Sequence, residues 1–210
     1  MRILLFGATG MVGSRIAAEA LSRGHEVTAV SRSGKPVGDA TAVTGDASDA
    51  AKVAELAAGH DAVASALAPP RDGSAPAAPF LAANAAVVDG VRTSGVNRLV
   101  VVGGAGSLEV APGKDLVDEP DFPDLYKAES LAQRDALGYY RTVNDIDWTY
   151  ISPAALIEPG ERTGTFRIGG DRLLADAEGN SRITAEDYAI AFVDELEKTA
   201  HPRARIGVAY

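Results

Sequence analysis

The sequence predicts an α/β fold, a doubly wound parallel sheet with helices on both faces and a small C-terminal lobe. Three observations carry this. Strand-like and helix-like segments alternate through the first two thirds of the chain. A short apolar run at the start passes directly into a glycine-rich turn and then a helix-like stretch. With 210 residues, 46% of them hydrophobic, the chain is long enough for one domain with a substantial core.

The elements follow in order. Residues 1–6 form a buried strand, and residues 14–23 a helix that stops at Arg23-Gly24-His25. Residues 26–30 and 41–44 are the second and third strands. Asp46 and Asp49 offer caps for a helix ending near Gly59. Residues 61–67 form a fourth strand, 68–79 a Pro/Gly/Ala loop and 80–94 a long helix. Residues 97–102 form an apolar fifth strand ending in a second glycine-rich turn, Gly103-Gly104-Ala105-Gly106-Ser107. An acidic, proline-containing loop covers 108–124, a helix 124–141 and a sixth strand 146–151. Right-handed crossovers would then set the doubly wound topology.

The last third is irregular. Residues 153–170 are rich in Pro, Gly and Thr. Residues 171–177 and 181–184 are expected to pair as a hairpin around Glu178-Gly179-Asn180. Thr184, with Asp187 three residues on, caps a helix to about Lys198, and 205–210 forms a last strand. The whole of 1–210 is expected to be a single domain, with 153–184 as a small extension.

The chemistry begins at Gly7-Ala8-Thr9-Gly10-Met11-Val12-Gly13. A strand, a glycine turn and a helix N-terminus together form the layout that holds a dinucleotide pyrophosphate, a Rossmann-type arrangement. Gly7 turns the chain off the strand, Gly10 lets the backbone approach phosphate, and Gly13 lets the helix pack close. Thr9, Met11 and Val12 complete the cradle. The spacing is G-x-x-G-x-x-G rather than G-x-G-x-x-G, and the strand–turn–helix context supports the assignment.

The end of the second strand indicates which dinucleotide binds. An acid there would favour NAD, but the chain has Ser31-Arg32-Ser33. These residues suit a 2′-phosphate, so NADP(H) is preferred over NAD(H). A charge-assisted contact there is worth roughly tenfold to a hundredfold in affinity. Asp46 is placed to meet the adenine edge or to cap a helix. Ala66, Leu67 and Ala68 follow the fourth strand, and Gly103 the fifth, where a cofactor would lie close.

The net charge of −9 and pI of about 4.8 argue against nucleic acid or an anionic membrane as partner. The chain has no cysteine, hence no disulfide framework and no thiolate chemistry. With no signal-peptide pattern and no run of about 18–20 apolar residues, a soluble cytoplasmic protein is expected. The expected state is a monomer or homodimer acting on a small molecule. No metal site is expected, since His25, His60 and His201 lie apart at turns. The acids of 115–124 resemble a solvated lid more than a metal site. Arg162 and Arg167 either hold an anionic substrate group or lie on the surface.

The glycine turn, Ser31-Arg32, Gly45-Asp46, Asp61-Ala62-Val63, the 102–108 run and Asp147-Trp148-Thr149-Tyr150-Ile151-Ser152-Pro153-Ala154 occur in this order. Together they resemble the atypical short-chain dehydrogenase/reductases. Residues 152–170 are especially similar to the NADH-flavin reductase group, related to biliverdin reductase B and NmrA-like proteins. The resemblance covers nearly the whole chain and implies that Ser107 faces the nicotinamide. It also implies that Pro153 and Ala154 pass beside the carboxamide.

Ordinary short-chain reductases use a Tyr with a Lys four residues later, which a helix brings to one face. Tyr126 is instead followed at that spacing by Ser130, and Tyr139 and Tyr140 by Val143 and Asn144. Flavin or quinone acceptors need such an acid less strictly, since their conjugated rings take hydride directly. Ser107 and Tyr126 are therefore the catalytic candidates, Tyr126 as donor, stacking wall or packing residue. The expected function is NADPH-dependent reduction of a small conjugated acceptor, with flavin as a candidate substrate. The alternatives are a dinucleotide-sensing regulator without turnover and a sugar-nucleotide epimerase or dehydratase.

Overall fold

The computed structural model describes residues 1–70 and 77–210. In chain order the elements are β1 (Arg2–Phe6), α1 (Met11–Ser22), β2 (Glu26–Ser31), β3 (Thr41–Thr44), α2 (Ala50–Ala57), β4 (Ala62–Ser65), α3 (Ala77–Ser94) and β5 (Arg98–Val102). They continue with β6 (Glu109–Ala111), β7 (Lys114–Asp115), α4 (Asp124–Tyr140), β8 (Asp147–Pro153), β9 (Leu156–Glu158), β10 (Arg167–Gly169), β11 (Arg182–Thr184), α5 (Ala185–Lys198) and β12 (Ala204–Ala209).

Eight strands form one sheet in the order β10-β12-β8-β5-β4-β1-β2-β3, all parallel except the edge strand β10. The inner strands β1, β4, β5, β8 and β12 are buried on both faces, as parallel strands under helices must be, while the edge strands β3 and β10 are largely exposed. Alternation along them separates two cores. Ile3, Leu5, Ala62, Ala64, Ile206 and Val208 pack with Ile16 of α1 and Phe192 of α5. Leu4, Phe6, Val63, Leu99, Trp148 and Tyr150 pack with Val53 of α2, Val87 of α3 and Leu137 of α4. A one-residue slip in any strand would exchange the two faces. This is the doubly wound α/β fold.

The structure revises several expectations. Helix α1 begins at Met11 rather than Ser14, because the chain turns at Gly10 and needs no further spacer. Helix α3 begins at Ala77, within the stretch expected to be loop, and part of that loop lies outside the described residues. The acidic segment after β5 is not a plain loop. It holds a β6–β7 hairpin, with Gly113 at φ +72° between its strands, and a single 3₁₀ turn over Leu116–Asp118. Its acids meet cations: Arg134 faces Asp115 and Asp118, and Lys114 meets Glu119.

The hairpin expected from residues 171–177 and 181–184 does not form. The turn exists, because the Asp176 carboxylate accepts from the amides of Glu178 and Asn180. However, β11 pairs in parallel with β9, and Ile183 is buried opposite Ile157. Strand β10 was not expected; it lies inside the stretch read as irregular and pairs antiparallel with β12.

Candidate functional site

In an open α/β sheet a ligand cleft opens at the carboxyl ends of the strands, where the strand order changes direction. That point lies between β1 and β4. The Gly7–Gly13 turn follows β1 and residues 66–68 follow β4. The two loops touch, since a Cβ on Gly7 would lie 2.3 Å from the Ala66 carbonyl oxygen, and the Ala66 amide donates to the Phe6 carbonyl at 2.9 Å. Gly7 also has φ +74°, where side chains are strained. A Cβ on Gly13 would lie 2.2 Å from the Gly7 carbonyl oxygen. The protein itself therefore demands Gly7 and Gly13.

Gly10 differs. It is the N-cap of α1 at φ −75°, with no side-chain cap, and no acid lies in the first turn. A Cβ there would meet nothing closer than 3.5 Å. The fold does not require glycine at this position. The amides of Met11 and Val12 that follow have no intrahelical acceptor. Thr9, Gly10 and Met11 are exposed, and Val12 is half-buried against the core. Exposed backbone with helix N-terminal amides lacking intrahelical acceptors fits a pyrophosphate.

At the end of β2, the Ser31 hydroxyl accepts from the Lys35 amide at 3.2 Å, and the Ser31 carbonyl accepts from Gly34 and Gly45. This folds the turn onto β3 and leaves Arg32 and Ser33 exposed at its tip. Asp46 shares the corner. The amide and hydroxyl of Ser48 hold its carboxyl below its ordinary value, with a smaller contribution from Arg32. Asp46 thus acts as a turn-former before α2, whose cap is Asp49. Ala66 and Leu67 are half-buried and Ala68 exposed at the mouth of β4.

The second glycine turn is tightly built. A Cβ on Gly103 would strike the Tyr150 ring at 2.1 Å, one on Gly104 the Gln133 side chain at 2.7 Å, and one on Gly106 the Ser130 side chain at 2.6 Å. Gly103 is thus explained by packing against a buried ring. The phenols of Tyr150 and Tyr188 bond to the carbonyls of Gln133 and Ile151, and burial pushes both well above their ordinary values. The turn ends on Ser107, which is buried, and its Oγ has no hydrogen-bond partner among the described residues. An orphaned buried hydroxyl is uncommon and marks a place where a ligand atom can supply the missing partner.

Tyr126 stands in the first turn of α4, half-exposed, one helical turn before Ser130, so both share the face that meets the 105–107 turn. Pro153 and Ala154 are buried at the end of β8, and Pro153 pairs in register with Val208. Arg162 and Arg167 are engaged elsewhere. Arg162 makes a two-bond pair with Glu19, and Arg167 donates to the carbonyls of Ala175 and Tyr210.

Sequence reasoning missed Arg205 of β12. Its side chain is 2% exposed and donates to the carbonyl of Ser107 and to Asp171. An arginine on the opposite strand face from Ile206 and Val208, in an otherwise apolar run, was the available signal.

Known proteins share this fold. A Burkholderia pseudomallei structure, provisionally named an exported protein, is 58% identical over the whole of both chains, with a TM-score of 0.92. A Bacteroides thetaiotaomicron structure, provisionally named an epimerase, is 40% identical, covering 100% of this chain and 96% of the other at a TM-score of 0.90. A Streptococcus pneumoniae structure, provisionally named an NADH-flavin reductase, is 34% identical, covering 100% and 99% at a TM-score of 0.86. Among the described residues no helix is long and apolar enough to cross a membrane. The sequence profile described as NAD(P)H-binding matches residues 7–199. The chain belongs to the NAD(P)H-binding family.

Proposed function

We propose that this protein is an NADPH-dependent reductase that delivers hydride to a small conjugated acceptor of the flavin or quinone class. The observation that carries this reading is the buried hydroxyl of Ser107, unpartnered among the described residues, at the carboxyl edge of the sheet that also bears the Gly7–Gly13 turn. When bound, the dinucleotide would supply the hydride. The chain's own residues would bind and orient. The amides of Met11 and Val12, reached across Gly10 and beside Thr9, would take the pyrophosphate. Arg32, Ser31 and Ser33 would take the 2′-phosphate, with Asp46 toward the adenine. Ala66, Leu67 and Ala68 would border the cofactor where β4 ends.

On the reacting side, Ser107 would donate its hydroxyl proton in a hydrogen bond to the acceptor or the carboxamide. Pro153 and Ala154 would form the adjoining wall, and Tyr126 would border the site from α4. Conjugated acceptors suit a site in which Ser130, not lysine, stands four residues after Tyr126. The provisional name of the Streptococcus neighbour supports the same class. Cytoplasmic action on a small molecule, as monomer or homodimer, is part of this proposal.

The absent lysine also supports a second reading, a dinucleotide sensor without turnover. It disfavours the epimerase chemistry named for the Bacteroides neighbour. Steady-state oxidation of NADPH with FMN, FAD and simple quinones decides between them. Turnover with one of these acceptors is expected. Tight NADPH binding with no turnover of any of them would overturn the reductase reading in favour of the sensor.

A further inference from the structure

Among the described residues two guanidinium groups are deeply buried, and they are built differently. Arg98 is paired with Glu195, whose side chain is 4% exposed, and both bond to Thr149. That pair ties β5, β8 and α5 together inside the protein. Arg205 is buried to the same degree, yet its carboxylate partner, Asp171, is 55% exposed. A buried cation with its counterion at the surface is costly unless its remaining donors are placed with care.

The donors of Arg205 go to specific groups. Its Nε donates to Asp171 Oδ1 at 2.7 Å, and Nη2 to the Asp171 carbonyl at 3.1 Å. Nη2 also donates to the Ser107 carbonyl at 3.1 Å, and Nη1 reaches toward Ser152 Oγ at 3.5 Å. Ser107 closes the turn that follows β5, and Ser152 lies near the carboxyl end of β8. Asp171 leads into the segment that bonds across to Glu109, just beyond Ser107. Arg141 reaches the same Asp171 carboxylate from beyond α4. One rigid planar fork therefore joins the Ser107 turn to the C-terminal third, a connection that a single-point ammonium could not make.

The Ser107 turn is held on its other sides by the contacts of Gly103 with Tyr150, Gly104 with Gln133 and Gly106 with Ser130. Arg205 supplies the hydrogen bond on Ser107 itself. Its effect is to fix the backbone of the one residue in the turn whose hydroxyl is buried and unpartnered among the described residues. We propose that Arg205, braced by Asp171, is the positioning residue of the acceptor site, holding Ser107 so that its hydroxyl faces the acceptor. This rests on the reductase reading given above.

The test combines hydrogen exchange with a double-mutant cycle. In the ligand-free protein, Arg205→Met should speed amide exchange across residues 104–109 and leave residues 7–13 unchanged. With NADPH and FMN, it should lower kcat by about tenfold while the NADPH affinity stays within about twofold. In a Ser107→Ala background the same substitution should cost almost nothing further, since its effect passes through that hydroxyl.

Asp171→Asn, at an exposed site, should reproduce the pattern more weakly and serves if Arg205→Met does not fold. Unchanged exchange at 104–109 would overturn the proposal. So would a full additional loss in the Ser107→Ala background, which would show Arg205 to be structural only. A wild type that binds NADPH but turns over no acceptor would instead sink the reductase reading, so the two failures are distinguishable.

Discussion

Gly10 and Gly13 lie three residues apart and answer to different constraints. A Cβ on Gly13 would overlap the Gly7 carbonyl, which is backbone and cannot swing aside. Gly13→Ala should therefore cost about 1–3 kcal/mol of stability, read as a lower denaturation midpoint. Ser107 shows the opposite balance. Its hydroxyl is buried without a partner among the described residues, so Ser107→Ala should leave the melting temperature unchanged or raise it, while kcat falls by about tenfold or more. A loss of stability with unchanged kcat would contradict the role assigned to it. Arg32 is exposed and shares its corner with Asp46, which places its effect near the lower end of the usual range. Arg32→Glu should weaken NADPH binding by about tenfold or more and spare NADH. Equal affinities for the two dinucleotides in the wild type would remove the basis for the preference.

Among the elements, those with a long apolar period were legible in the sequence. Strand β1, helix α5 with its Thr184 cap and the apolar strand β5 appear close to where local pattern put them. Strand β10 was not legible, because three residues carry no period and its pairing is set by β12, some forty residues away. The failed hairpin has the same origin: Asp176 closes a real turn, but the partner of β11 is decided by burial of Ile183, not by proximity in the chain.

The connection from β9 to β10 is held by acids. Glu186 accepts from the Gly160 amide, Glu19 pairs with Arg162, and the buried Asp187 accepts from Thr163, Gly164 and Tyr210. Burial alone would raise the Asp187 carboxyl, but these donors outweigh it and hold it below its ordinary value. Glu19 is lowered chiefly by Arg162. Carboxyls lowered by folding add stability that is complete above the ordinary carboxylate range of about 4, and lose it as pH falls through their lower folded values. Melting temperature should therefore drop at acid pH, and Asp187→Asn should reduce that dependence while lowering stability at neutral pH. A variant with the same acid profile as the wild type would contradict this account.

At the scale of the whole molecule, β12 lies between β8 and β10 although it is the last strand in sequence. A chain stopped after Arg203 would lose Ile206 and Val208 from the core and uncover the edge of β8. It should melt without cooperativity, with Trp148 emission shifted toward that of an exposed indole. The same topology explains which parts of the site were legible. The Gly7–Gly13 turn is local, so strand, turn and helix could be recognised from one stretch of chain. The bond from Arg205 to Ser107 spans 98 positions and exists only once the sheet is assembled.

If the opening turn is a dinucleotide clamp, Gly10 separates binding from fold stability, since among the described residues a Cβ there meets nothing closer than 3.5 Å. The decisive measurement is calorimetric titration of NADPH into the wild type and Gly10→Val, with thermal melts of both. The expected result is stabilities within about 1 kcal/mol of each other and NADPH affinity weakened by more than about a hundredfold. A folded Gly10→Val protein that binds NADPH as tightly as the wild type would contradict it.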